Sequence, residues 1–376
     1  MFAPLVKSDL GTVSDAARIY CRPTCFVDRP HELDDACLRL ADTMLWFAAW
    51  HVSVRDDGRV RSAIVPVAEF ADWAAAMPDA LALQAQTQMA NVARPRGILV
   101  MGERTVRLNE PQVMGILNVT PDSFSDGGKH GDAQAAIDAG FAMAEAGAAI
   151  IDVGGESTRP GATSVWEGDE IARIQPVIAA LAKGGTAVSV DTRKAAVMEA
   201  ALAAGAGVIN DISSLRHDAR AMAVVAAASC PVVLMHAPGA GSDPHDGGAY
   251  DHALFDVFDM LEDRIAACTA AGINRARIVV DPGIGFGKGV ADNLALLNGI
   301  ALFHALGCPV LVGASRKRII GALDGEAGAD ARLGGSVALH YHAVSHGVQL
   351  LRVHDVPETR QALRMWRGLR DAALTG

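Results

Sequence analysis

From Pro111 onward, short apolar runs alternate with longer Ala-rich stretches, and each run ends near a polar side chain that is costly to bury without a partner. The runs cover residues 113–117, 149–153, 187–190, 208–209, 232–235, 278–280, 310–312 and 348–353. Asn118, Glu156, Asp191, Asn210, His236, Asp281 and Lys317 stand at or just past the first seven, and the pair Arg352 and His354 at the eighth. Between and after the runs, the pattern predicts helices over 133–146, 167–182, 194–204, 219–228, 253–271, 292–306, 333–345 and 357–373. Strand followed by helix, eight times over, predicts an α/β fold, a (β/α)8 TIM barrel whose reactive groups collect at the carboxyl rim of the strands. Two strand-to-helix connections, 120–132 and 154–164, are long and rich in Gly, Ser and Asp, as binding loops on such a rim are.

The first 95 residues read differently. They hold Trp46, Trp50 and Trp73, and two runs of strand type, 47–54 and 60–67, meet at Asp57-Gly58, a strong hairpin turn. An amphipathic helix is expected over 36–45. This stretch is read as a small α+β extension of open role, and residues 96–376 as the barrel unit. A second hairpin, 97–101 with 105–108, directly precedes the first barrel strand and is expected to plug the amino-terminal mouth.

Composition adds limits rather than chemistry. The 376 residues suit a barrel of roughly 250 residues plus a smaller module. No apolar stretch approaches the roughly 18 residues of a membrane span, and the start lacks the features of a signal peptide, so a cytoplasmic protein without a membrane partner is expected. A formal net charge of −10 argues against binding nucleic acid by bulk electrostatics, but leaves room for a small anion held by a few local cations. Cys21 and Cys25 are spaced too widely for a redox pair, and reduced thiols are expected.

The candidate chemistry lies at the strand ends. Asp191 alone reads equally well as a helix cap. Together with Asn210, Asp281 and Lys317 it forms a lining suited to a flat heterocycle, because a carboxylate accepts paired hydrogen bonds from an aminopyrimidine edge while amide and ammonium donate. Arg352 and His354, two residues apart, share one side of their strand and suit a phosphate clamp. Asn118 offers an oxygen to a divalent cation such as Mg2+. The loop from Gly283 to Lys288 has the wrong glycine spacing for a nucleotide loop and is read as a close approach of backbone to ligand, walled by Phe286. His245 and Asp246 are read as solvated.

Seven segments, in order and each near a strand end, resemble the dihydropteroate synthase family over about 111–376: Met114 to Gly128, Asp152-Val-Gly-Gly-Glu-Ser-Thr-Arg-Pro-Gly161, Ser189-Val-Asp-Thr-Arg-Lys194, Ile209-Asn-Asp-Ile212, Asp281 to Lys288, Gly313-Ala-Ser-Arg-Lys317 and Arg352-Val-His-Asp355. The resemblance implies condensation of 4-aminobenzoate with (7,8-dihydropterin-6-yl)methyl diphosphate to give 7,8-dihydropteroate and diphosphate. It further implies that Thr158, Asp191, Asn210, Asp281 and Lys317 hold the pterin substrate, Arg352 and His354 its diphosphate, and Asn118 the Mg2+. It implies an aminobenzoate pocket of Phe124, Arg159, Pro160, Phe286, Ser315 and Lys317, and a homodimer formed through barrel helices, for which the apolar residues near 333–344 are candidates. Two alternatives share the pterin positions: a methyltransferase barrel serving a corrinoid, which has no use for a diphosphate clamp, and a non-catalytic pterin binder.

Overall fold

The computed structural model describes residues 3–5, 13–14, 16–31, 33, 35–120, 128–158, 161–239, 243–246 and 248–375, with backbone alone over 128–132. The extension folds around a sheet of β1 (Ala3–Pro4), β2 (Arg18–Val27), β3 (Leu38–Arg39), β4 (Trp46–Asp56) and β5 (Arg59–Pro66). The β4–β5 hairpin turns at Asp57 and Gly58, whose φ values of 47° and 70° are those of a two-residue turn matched to strand twist. Residues 36–45 are not helical: Leu38–Arg39 pairs with β4, and Ala41 and Asp42 adopt left-handed φ. Thr43 drives this, its hydroxyl donating to the carbonyl of Leu40 and closing a local turn in place of a helix.

Further elements of the extension lie outside the sequence expectation. β2 carries Pro23, and a proline in the run argues against a central strand; β2 tolerates it at the sheet edge, pairing only with β4. Two helices follow β5, the short α1 (Phe70–Ala74) and the longer α2 (Asp79–Ala93), whose Ala and Gln alternation blurs its apolar face. The hairpin β6 (Ile98–Met101) and β7 (Arg104–Arg107) comes next.

The barrel strands are β8 (Gln112–Asn118), β9 (Ile150–Gly154), β10 (Val188–Asp191), β11 (Val208–Asp211), β12 (Val232–Met235), β13 (Ile278–Asp281), β14 (Leu311–Val312) and β15 (Leu350–Val353). All pair in parallel, and a bridge between Val280 and Val310 joins β13 to β14, so the eight predicted strands form the ring. The helices are α3 (Gly128–Glu145), α4 (Glu167–Lys183), α5 (Ala195–Ala203), α6 (Ala221–Ala228), α7 (Ala253–Ala270), α8 (Val290–Asn298), α9 (Arg318–Leu323), α10 (Leu333–Ser345) and α11 (Val356–Thr375). The helix expected over 292–306 breaks at Gly299 into α8 and a buried 3-10 turn, Ile300–Leu306.

Side chains on a strand alternate, so each strand sends every second residue into the lumen. The lowest lumen layer is apolar: Met114, Ile150, Ala187, Val208, Val233, Val279, Leu311 and Leu350 cluster with Leu99, Met101, Val106 and Leu108 of the β6–β7 hairpin segment. The hairpin therefore stoppers the amino-terminal end. Two residues further along, polar groups enter on five of the strands: Asp152, Ser189, Asn210, Asp281 and Arg352.

The extension is joined to one side of this barrel through a common core. Tyr20 stacks on Phe255 of α7 at 4.1 Å, while Arg55 pairs with Asp256 at 2.6 Å and Arg18 with Asp259 at 2.9 Å. Asn91 of α2 donates to the Ala305 carbonyl, and the buried Arg96 guanidinium donates to that of His304.

Candidate active site

The carboxyl end of the lumen gathers charged groups from four strands, β9, β10, β13 and β15. Arg352 on β15 reaches across to donate through Nε to Asp152 Oδ2 and through Nη2 to Asp191 Oδ2, each at 2.6 Å. Asn210 on β11 donates to the same Asp152 oxygen at 3.0 Å. Asp152, fully buried on β9, thus fixes two of the expected site residues from behind, and no role for it was drawn from the sequence. Its signal was available: it lies two residues past Ile150 on the lumen-facing phase, in a strand otherwise apolar.

Polar capacity remains in this layer. Asp152 Oδ1, Ser189 Oγ and Asp191 Oδ1 are buried and have no hydrogen-bond partner among the described residues. Buried acceptors left unmatched cost stability unless a ligand supplies the donors. Asp281, at the end of β13, accepts the Gly283 amide at 2.7 Å.

Electrostatics follow from burial. Desolvation pushes the Asp191 carboxyl upward, opposed chiefly by the Arg352 guanidinium. Asp281 is raised to about 6 by burial, against the pull of the Gly283 amide and Lys317. Lys317 is lowered to about 8 by burial and then by Arg352, with Asp281 and Asp191 opposing. His354 is lowered to about 4 by burial, then by Arg352 and Arg316, so it is neutral at neutral pH. The expected clamp is therefore split: Arg352 sits in the lumen between carboxylates, and His354 is an uncharged hydrogen-bonding group beside Ser315 Oγ at 3.0 Å.

Lys317 caps α9, and its predecessor Arg316 takes a left-handed φ of 56° and turns away to a bidentate pair with Asp355. Lys317 enters the site instead, its ammonium 4.2 Å from the centroid of Phe286. Gly285 makes room for it, since a Cβ there would stand 3.0 Å from Lys317 Cδ. Lys288 is not a ligand group of this lumen: it donates to the carbonyls of Gly283 and Phe286 and pins their loop. Asn118 ends β8 near Asp191: a Cβ on Gly154 would stand 3.5 Å from Asp191 Cβ and 3.7 Å from Asn118 Oδ1. Thr158 lies on the rim connection after β9. Glu156 on the same connection faces away from the lumen, accepting the Val165 amide and pairing with Lys194, which also holds the buried Glu170.

His245 is half-buried and held by contacts rather than free in solvent. Its ring stacks on Phe286 at 4.9 Å and its Nε2–H donates to the Thr158 carbonyl at 2.9 Å. Phe124, Arg159 and Pro160 lie outside the described residues. The structure thus brings together Asn118, Asp191, Asn210, Asp281, Phe286, Ser315, Lys317, Arg352 and His354, with Thr158 at the rim.

Residues 114–354 match the family model described as pterin binding enzyme. The chain belongs to that family. It is 44% identical over 259 residues to the dihydropteroate synthase of Escherichia coli K12, covering 69% of this chain and 91% of that protein. It is 41% identical over 279 residues to that of Neisseria meningitidis serogroup B, covering 73% and 98%. A probable bifunctional folylpolyglutamate synthase/dihydropteroate synthase of Haloferax volcanii is 46% identical over 259 residues, which is 69% of this chain but 30% of that protein's length. Among solved structures, Xanthomonas albilineans dihydropteroate synthase with 4-aminobenzoic acid superposes with a TM-score of 0.69 at 48% identity, over 73% of this chain and 98% of that one. The same enzyme in complex with 7,8-dihydropteroate gives 0.67 at 45%, over 73% and 99%. The extension stands outside the family match. No helix among the described residues of this pterin-binding protein is long and apolar enough to cross a membrane.

Proposed function

We infer that this chain is a dihydropteroate synthase, a transferase that joins the amine of 4-aminobenzoate to the 6-methylene carbon of the dihydropterin diphosphate and releases diphosphate. The observation that carries this reading beyond kinship is the lumen: carboxylates with buried, unmatched oxygens behind a cationic pair, Lys317 and Arg352. Asp191 and Asp281 accept from the aminopyrimidine edge of the pterin, while Asn210 and Lys317 donate to its carbonyl and ring nitrogen. Departure of diphosphate leaves an electron-poor methylene on an electron-rich ring, and Asp191, kept beside Arg352, stabilises the cationic pterin that develops.

Arg352 faces the departing charge, and His354 donates a hydrogen bond without adding charge of its own. Asn118 suits Mg2+ carried in by the diphosphate: the described residues contain no cluster of three His, Cys, Asp or Glu, and one amide oxygen matches an ion that keeps most of its waters. When bound, that ion neutralises charge on the leaving group. Phe286, Ser315 and Lys317 flank the aminobenzoate, with Phe124, Arg159 and Pro160 assigned to the same pocket by the family motif, and Thr158 on the rim meets the pterin diphosphate. The aminobenzoate amine is a weak base, and no strong general base is needed.

We place the enzyme in the reducing cytoplasm, in keeping with six cysteines that form no disulfide, and assign it a homodimer through the α9–α11 face, where Leu323, Leu333, Met365 and Leu369 are exposed. Purified protein given 4-aminobenzoate, the pterin diphosphate and Mg2+ should form 7,8-dihydropteroate and diphosphate in equal amounts. Pterin binding without aminobenzoate-dependent diphosphate release would instead indicate a non-catalytic binder, and methyl transfer from a reduced folate would indicate the methyltransferase alternative.

A further inference from the structure

We propose that His245 is a positioning residue for the aminobenzoate half of the site, latching the rim connection after β9 onto the Phe286 ring. Its one imidazole joins segments from three strand ends. The ring lies against Phe286 with an interplanar angle of 12°, and Nε2–H donates to the Thr158 carbonyl. Phe286 in turn carries the Lys317 ammonium, so the contacts run from rim loop to lysine without a gap.

Packing makes this placement specific. A Cβ on Gly248 would stand 1.7 Å from the Gly287 carbonyl oxygen, and a Cβ on Gly287 would stand 2.9 Å from the His245 carbonyl oxygen. The segment bearing His245 is thus seated directly on the 283–287 loop. The His245 amide donates to Asp243 Oδ1 at 2.8 Å, which sets the turn that presents the ring. Beneath the latch, Thr158, Arg193, Ile212 and Asp243 line a cavity of about 110 Å3 between the rim connection and this segment. Holding the two walls of that cavity together is the geometric consequence of the His245 hydrogen bond.

The inference rests on the synthase reading for its substrate, and its test separates the two. Phenylalanine retains the stack without the donor, glutamine retains a donor without the stack, and alanine removes both. A neutral hydrogen bond and an aromatic pair each contribute modestly, so His245→Phe and His245→Gln should each raise KM for 4-aminobenzoate about threefold and His245→Ala about tenfold or more. Affinity for the pterin diphosphate alone, measured by calorimetry, should change less than about twofold, because Asp191, Asn210 and Arg352 stand on strands the latch does not touch and Thr158 meets His245 through its main-chain carbonyl. Hydrogen exchange of the 155–158 amides in the substrate-free enzyme should quicken in His245→Ala and not in its melting-matched wild type. Unchanged exchange, or a KM that moves only in step with pterin affinity, would overturn the latch. A wild-type enzyme that forms no dihydropteroate would overturn the synthase reading, while the exchange measurement would still decide on His245.

Discussion

At the scale of single residues, the site is organised by a side chain that contacts other site residues from beneath. Asp152 accepts from Arg352 and Asn210 through one oxygen, so it sets the position of a cation and an amide at once. Asp152→Asn keeps the shape and removes the charge that anchors Arg352. It should lower kcat/KM by about 10- to 100-fold, since small misplacements of reacting groups carry penalties of that size. Calorimetry should show weakened binding of the pterin diphosphate, with KM for aminobenzoate less affected. Residues such as Asp191, Asn210 and Asp281 were legible because a polar group at the end of an apolar run is conspicuous. Asp152 was less so, as it sits inside its run and only the strand phase reveals that it faces the lumen. His245 was illegible in sequence because a histidine in a Gly-rich loop resembles a solvated one, and only its contacts with Phe286 and the Thr158 carbonyl give it a role.

At the scale of elements, the barrel was legible nearly strand by strand, since eight buried parallel strands write themselves as apolar runs between helices. The extension was not. β2 pairs with a strand distant in sequence and carries a proline, and the 36–45 segment follows a threonine side chain rather than its apolar periodicity. What fixes the extension is tertiary: the Tyr20 ring on Phe255, the charged pairs to α7, and the 3-10 turn Ile300–Leu306, whose residues are all buried. A chain starting at residue 96 should therefore expose Phe255 and part of that turn and aggregate on expression. Size-exclusion chromatography of the truncated and full chains checks this; a monodisperse truncated chain with wild-type melting would count against the shared core.

At the scale of the whole molecule, the lumen trades stability for binding. Asp281 has a folded pKa of about 6, above the roughly 3.9 of an unfolded aspartate. Between those values the folded chain holds the proton more tightly, so unfolding free energy falls as pH rises, and the full cost is present above about pH 6. Asp281→Asn removes that cost while its side-chain oxygen can still accept from Gly283, although Lys317 loses an anionic neighbour. The variant should be more stable than wild type by about 1–2 kcal/mol at pH 7.5, with the gain shrinking toward pH 4, and should lose pterin affinity. Urea denaturation across that pH range measures it, and a gain that grew on acidification would contradict the assignment.

The hairpin β6–β7 has a kinetic consequence. With Leu99, Met101, Val106 and Leu108 filling one end, the barrel is a tube closed there, and the candidate site lies toward the other end. The substrate that occupies the floor has to arrive before the one that sits nearer the door, and the joined product must back out the way its parts came. Steady-state kinetics should accordingly be sequential and ordered, pterin diphosphate first; random entry of the two substrates would mean that the tube has a second way in.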